Sequence, residues 1–232
     1  MEGGPSGRPT AYQFNLRTIK SGAMARSMFQ TILTHPVTMF SAGMIFTVGG
    51  LAVLLSACAS PNRTAENVET YRREMSKAGD AGPKPGTAEE KAALDRFTTF
   101  LQGINSQDFI RENTAKTYSA DAYLNDTLVT HHGAEEIEAY FLKTSEAMTD
   151  YKVTIEDVMR SGADHYVRWT MIFAAPALSN GDPVHSIGIS QVRFDQDGKV
   201  AFHQDFWDSG ENFFGRAPVA GGVIGFIRKR LE

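Results

Sequence analysis

Gly198-Lys-Val-Ala-Phe-His-Gln-Asp-Phe-Trp-Asp208 brings together a turn residue, an alternating run and the densest set of chemically capable side chains in the chain. In an extended strand side chains alternate between faces. Ala201, His203, Asp205 and Trp207 therefore share one face, and Val200, Phe202, Gln204 and Phe206 the other. The first face is polar and aromatic, the second mostly apolar. Two readings of the polar face are open at this point. Buried in a plain apolar core, His203 and Asp205 would each need a partner to offset desolvation; lining a pocket, they are what a binding or catalytic site uses.

The same period of two recurs upstream. Tyr151 to Met159, His165 to Ala174 and Ser186 to Phe194 alternate as strands, and Lys199 to Trp207 completes a set of four. Their separators are Ser161-Gly162, Asn180-Gly-Asp-Pro183 and Asp195-Gln-Asp-Gly198, the last a hairpin signal. Before Asp150 the period is helical. Thr87-Ala-Glu-Glu90 is a capping-box pattern, followed by Leu94, Phe97, Phe100, Leu101 and Ile104 at three- and four-residue spacings. A second helix is expected from Asp108 to about Tyr118, and a short extended piece from Ala122 to Val129. His131-His132-Gly133 then leads as a loop into a third helix, Ala134 to Met148, carrying Ile137, Tyr140, Phe141 and Met148. Helices followed by an antiparallel meander predict an α+β fold in which a curved sheet wraps onto about three helices. After Trp207, Ser209 to Gly215 reads as a short helix or turn. Pro218 then opens a C-terminal helix ending in Arg228-Lys229-Arg230, a charge placement that suits its dipole. That helix is expected to pack on the sheet, with contact to anionic lipid as the alternative.

Charge is unevenly spread over the 232 residues. No Asp or Glu occurs between Glu2 and Glu66, while Arg8, Arg17, Lys20 and Arg26 precede the uncharged 21-residue run Val37 to Ala57, which is the polarity of an export signal. The run is long enough to span a bilayer, so a retained anchor and a cleaved signal peptide both fit it. Leu55-Ser56-Ala57-Cys58 resembles the lipobox of bacterial lipoproteins and favours cleavage with acylation of Cys58. Cys58 is the only cysteine, which excludes an intrachain disulfide. A start at Met24 would give a leader of more usual length.

The expected organisation is a signal peptide with a basic leader over 1–57, an acylated cysteine and flexible tether over 58–86, and a folded domain over 87–232. Within the tether, Ala65 to Ala78 could form a short solvated helix, but Val68, Tyr71 and Met75 make only a thin apolar stripe, which favours a partly disordered linker. Localisation follows as the bacterial cell envelope, lipid-anchored and facing the periplasm. From Cys58 onward 19 Lys and Arg stand against 26 Asp and Glu, a net charge of −7. A chain that acidic does not suit nucleic acid, whose phosphates require a basic patch.

The order helix, helix, short strand, helix and four strands resembles the nuclear transport factor 2-like superfamily, and within it the SnoaL-like and ketosteroid-isomerase-like proteins. Tyr118-Ser-Ala-Asp121-Ala-Tyr-Leu-Asn-Asp126 and Gly133-Ala-Glu-Glu-Ile137-Glu-Ala-Tyr-Phe141 carry the resemblance, which extends over about Thr87 to Trp207. It implies a cone whose mouth holds a small apolar ligand. It also implies that Asp126 stands at the position of the isomerases' carboxylate base, Phe100 at that of their oxyanion tyrosine, and Ser190 at that of their protonated aspartate. Phenylalanine donates nothing, and losing one oxyanion donor typically lowers rate about a hundredfold or more, so steroid isomerisation is not expected.

The resemblance further implies acid–base work by His203 with Asp126 or Asp205, cofactor-independent, as in cyclases and dehydratases. The pocket is expected to include Phe100, Tyr118, Trp169, Ser190 and Trp207. No metal site is expected, since neither His131 nor His132 has ligands at suitable spacing, and His185 is expected to be a solvated loop residue. Expected partners are a small apolar ligand, the membrane through the lipid anchor, and a second copy in a homodimer. Binding, catalysis and a ligand-free dimerising domain filled by its own aromatics are the three functional alternatives.

Overall fold

The computed structural model describes residues 61–179, 181–217 and 220–231. Val37 to Ala57, Cys58 and Pro218 lie outside the described residues. From Pro61 onward the chain forms one compact unit. Its elements are α1 (Pro61–Ala78), α2 (Ala88–Gln102), α3 (Gln107–Thr117), β1 (Tyr118–Asn125), β2 (Thr130–His132), α4 (Ala134–Ala147), β3 (Asp150–Ser161), β4 (Asp164–Ala174), α5 (Pro176–Ser179), β5 (Val184–Phe194) and β6 (Val200–Trp207). They are followed by α6 (Ser209–Asn212), a 3-10 turn (Phe214–Arg216) and α7 (Ala220–Arg228). This is the α+β architecture expected, a curved six-stranded sheet with helices packed on it and a C-terminal helix.

The strands run in the order β2-β1-β6-β5-β4-β3. β3 to β6 form the antiparallel meander, but β1 lies parallel to β6. The His131-His132 pair belongs to β2, a short strand antiparallel to β1, instead of a loop. His185 lies inside β5, on its exposed side.

Local chemistry explains the element ends. Thr87 accepts a hydrogen bond from the Glu90 amide and caps α2, as the box pattern predicts. The Glu90 carboxylate reaches back to the Gly86 amide at 2.6 Å. Gly198 adopts φ 71°, the left-handed conformation a side chain disfavours. The hairpin it closes is held by the Asp195 carboxylate, which accepts from the Asp197 and Lys199 amides at 2.9 Å each.

The core lies between the inner face of the sheet and α2, α3 and α4. Phe97, Phe100, Ile110, Leu124, Ile137, Val167 and Val192 are all buried there. Each such side chain contributes about 1.5–3 kcal/mol through burial.

On the outer face, α1 packs across β5 and β6, which contradicts the expectation of a flexible tether. Tyr71 sets its ring edge against Phe202 at 5.7 Å and donates to Gln191 Oε1 at 2.7 Å. Arg193 donates to the carbonyls of Met75 and Gly79, both at 3.0 Å, closing the C-terminal end of the helix with a cation where the dipole favours one. The same guanidinium forks onto Asp164 at 2.6 and 2.9 Å. Burial opposes ionisation of Asp164, but the bonds from Arg193 and Gln191 more than offset it and hold the carboxyl below its ordinary range. Of the stripe read from sequence, Tyr71 and Met75 dock, joined by Glu74 and Ala78, while Val68 stays 47% exposed.

Candidate functional site

The helices and the inner face of the sheet enclose a cavity of about 940 Å³. Its walls are mainly apolar and aromatic, from Leu101 on α2 and Ile104 just after it to Met171 and Phe173 on β4, with Phe213 and Phe214 beyond β6. The alternation predicted for β6 holds, since His203, Asp205 and Trp207 all line it while Phe202 faces α1. Ser190 and Trp169 come from the neighbouring strands, in register with Asp205 and Gly188 respectively. A Cβ on Gly188 would stand 2.4 Å from the Trp169 indole, so only glycine leaves room for that ring.

These residues form one hydrogen-bonded chain. Tyr118 Oη meets His203 Nδ1 at 3.0 Å, His203 Nε2 meets Asp205 Oδ1 at 2.8 Å, Ser190 Oγ donates to the same Oδ1 at 2.5 Å, and Trp169 Nε1 donates to Ser190 at 3.0 Å. The proton positions follow from Tyr118. Its side chain is fully buried, and His203 Nδ1 is its only hydrogen-bond partner among the described residues. Burial, and after it the Asp205 charge, pushes the phenol well above its ordinary range, so it keeps its proton. A buried hydroxyl proton without an acceptor costs about 1–3 kcal/mol. Nδ1 therefore accepts, and Nε2 carries the hydrogen donated to Asp205.

Both ring nitrogens of His203 are thereby engaged. The residue is 1% exposed and wedged edge-on against Phe97. His203 and Asp205 are thus brought together as the sequence expects, with the imidazole holding Asp205 from behind. Asp205 Oδ1 is occupied by two donors, whereas Oδ2 has no partner among the described residues and the side chain is 17% exposed on the cavity wall.

Asp126 also lines the cavity, but its carboxylate is committed to local structure. Oδ1 accepts from the Leu128 and Val129 amides at 2.9 and 2.8 Å, and Oδ2 accepts from Tyr140. The turn so fixed contains Thr127 at φ 76°, a strained conformation for a β-branched residue. Trp207 Nε1 donates to the Asp126 carbonyl at 2.6 Å and ties the end of β6 to this turn.

Phe100 and Tyr118, expected in the pocket, do not line it. Phe100 packs in the core against Phe109, Tyr118 and Phe141, and Tyr118 stands behind His203.

Two tyrosines on the wall, Tyr140 and Tyr151, act as polar groups that the periodicity of their elements does not reveal. Tyr140 counted only as part of an apolar helix face, yet it bonds Asp126. Tyr151 donates to the Leu101 carbonyl at 2.8 Å. Both hydroxyls are pushed far up, chiefly by burial; carboxylate charge adds to this, from Asp126 and Asp205 at Tyr140 and from Asp205 at Tyr151. Asp126 and Tyr140 lie 14 residues apart, with β2 and the first half of α4 between them, so no local pattern pairs them.

A second polar cluster lies away from the cavity. Glu90 Oε1 accepts from Arg160 at 2.5 Å and lies 2.8 Å from His165 Nε2. The His165 hydrogen bond, aided by the Gly86 amide and Arg160 and opposed by burial, holds Glu90 down to about 2. It joins the start of α2 to β3 and β4. Among the described residues no group of three His, Cys, Asp or Glu side chains could hold a metal.

No curated protein matches the sequence. Among solved structures, an NTF2-like protein of unknown function from Exiguobacterium sp. 255-15 is similar at 16% identity and a TM-score of 0.44, over 50% of this chain and 98% of that one. An LEH-like epoxide hydrolase from M. tuberculosis is similar at 18% identity and a TM-score of 0.45, over 60% of this chain and 98% of that one. Residues 97–203 match the family model of the SnoaL-like domain, which supports a SnoaL-like, nuclear transport factor 2-like domain in this chain.

Proposed function

We propose that the domain binds a small, largely apolar molecule in the cavity and orients it through Asp205. The observation that carries this is the unpartnered Asp205 Oδ2 in a wall where Trp169, Ser190, Tyr140, Tyr151 and Trp207 bond within the protein and His131 Nε2 is buried without a partner among the described residues. Pockets of this size and composition suit small ligands. An open volume also speaks against a ligand-free domain filled by its own aromatics. The chain's two tryptophans, Trp169 and Trp207, both line the cavity, so all of its tryptophan emission comes from the site. The test is native mass spectrometry of gently extracted protein, combined with emission titrations against apolar compounds. A co-purified small molecule, or saturable emission change, is expected; absence of both would overturn the reading.

A second reading, cofactor-independent acid–base catalysis, is favoured by the His203 support behind Asp205. Oδ2 would take a proton from the bound molecule and return it at another atom. Asp205→Asn should then abolish turnover of a ligand identified by mass spectrometry while leaving its binding within reach of measurement.

The envelope location belongs to the same proposal. Its support is the lipobox-like Leu55-Ser56-Ala57-Cys58 after the uncharged run. Among the described residues no helix is long and apolar enough to cross a membrane. Metabolic labelling with a fatty acid should mark the protein and be lost in Cys58→Ser; unchanged labelling would sink the anchor.

A further inference from the structure

The ligand's chemical class can be taken one step further, on the reading that the cavity binds a small molecule. We propose that the ligand is an organic cation, an apolar body carrying a protonated nitrogen whose N–H donates to Asp205 Oδ2. Three observations lead there.

The first is hydrogen-bond direction. Oδ2 accepts and cannot donate as a carboxylate, and the neighbouring hydroxyl and indole donors of Ser190, Trp169 and Trp207 already have acceptors within the protein. A ligand group placed here must bring its own donor. A ligand carbonyl or carboxylate would meet an acceptor facing an acceptor.

The second is charge. With Nδ1 accepting from Tyr118, His203 offers Asp205 a hydrogen bond and no counter-charge, and no lysine or arginine joins the chain from Tyr118 to Trp169. Around the cavity as a whole, the three carboxylates of Asp126, Glu136 and Asp205 face a single lysine, Lys143, and the imidazole of His131 beside Tyr140. A partly buried carboxylate without a counter-ion is an incomplete pair, and a ligand ammonium completes it.

The third is the aromatic surround. Trp207 stands two residues along β6 on the same face as Asp205, and Trp169 bonds the serine that bonds Asp205. Indole faces attract cations, more strongly once water is removed. A neutral apolar ligand would use the same surfaces without using the carboxylate.

The test compares three probes of one shape on the full-length chain at neutral pH, followed by tryptophan emission and checked by calorimetry: 1-adamantylamine, 1-adamantanol and adamantane-1-carboxylate. The amine should bind about tenfold more tightly than the alcohol, as a charge-assisted bond predicts, and the carboxylate most weakly. Asp205→Asn should remove the amine's advantage while the alcohol still binds, which also reports that the variant is folded. If the variant fails to fold, the ranking on the wild-type chain decides alone. Equal or tighter binding of the alcohol or the carboxylate would overturn the cation proposal and leave the cavity reading standing. No response to any of the three would overturn both.

Discussion

His203 donates from Nε2 to Asp205 Oδ1 at 2.8 Å, two residues along the same strand face, and is itself held by Tyr118 at 3.0 Å. Asp205 is thus oriented from behind, and one of its oxygens is presented to the cavity.

Tyr118→Phe removes the hydroxyl proton that Nδ1 accepts and leaves a buried nitrogen without a partner. A loss of about 1–3 kcal/mol of stability is expected, measured by urea unfolding. The imidazole is then free to turn over, so amine binding should also weaken. Unchanged stability would contradict the proton assignment.

Gly188→Ala places a Cβ 2.4 Å from the Trp169 ring, where only movement of the indole can relieve the overlap. Overpacking of this kind costs about 1–3 kcal/mol. The tryptophan emission maximum should shift, because the displaced ring breaks its bond to Ser190. Thermal unfolding and an emission spectrum check both.

Glu90 carries a pH dependence whose direction is fixed by its shift. Its carboxyl is held at about 2 against an ordinary 4.5, so its contribution is complete above pH 4.5 and is lost as pH falls towards 2. The shift corresponds to roughly 3 kcal/mol at most. Glu90→Gln should lower stability at pH 6 and flatten the acid limb of a stability curve between pH 4.5 and 2 relative to wild type. An identical acid limb in the variant would show that the clasp with His165 and Arg160 contributes nothing.

Tyr71→Ala removes a ring packed on Phe202 and the hydroxyl bonded to Gln191. Tyr71 is half-buried, so a loss of about 2 kcal/mol is expected, at the low end of large-to-small substitutions. Tyr71→Phe, which keeps the ring, should lose only about 1 kcal/mol. Protection of α1 amides from hydrogen exchange should fall in the alanine variant; unchanged protection would mean that the contact with Phe202 does not hold the helix.

Much of this architecture was legible in residue order. Alternation marked β3 to β6 within about two residues at each end, Thr87 and Glu90 marked the start of α2, and Asp197-Gly198 marked the last hairpin. The face of β6 that turns inward was also legible, because a period of two leaves only two choices and one of them carried His203, Asp205 and Trp207. Partner choice was not legible. Tyr118 and His203 are 85 residues apart, and Arg193 reaches the end of α1 across more than 110. Nothing local distinguishes such pairs from solvated side chains. The docking of α1 is hidden for that reason: its own apolar stripe is thin, and its partners Gln191, Arg193 and Phe202 come from distant strands.

The sequence by itself determined that a helical half precedes a meander of strands, and that Asp205 lies on the same strand face as a histidine and a tryptophan, because those properties follow from local periodicity. Only the tertiary structure decided which polar groups are already satisfied. It closed both nitrogens of His203, committed Asp126 to its turn, moved Phe100 into the core and left Asp205 Oδ2 open, because each outcome depends on where strands and helices distant in sequence meet.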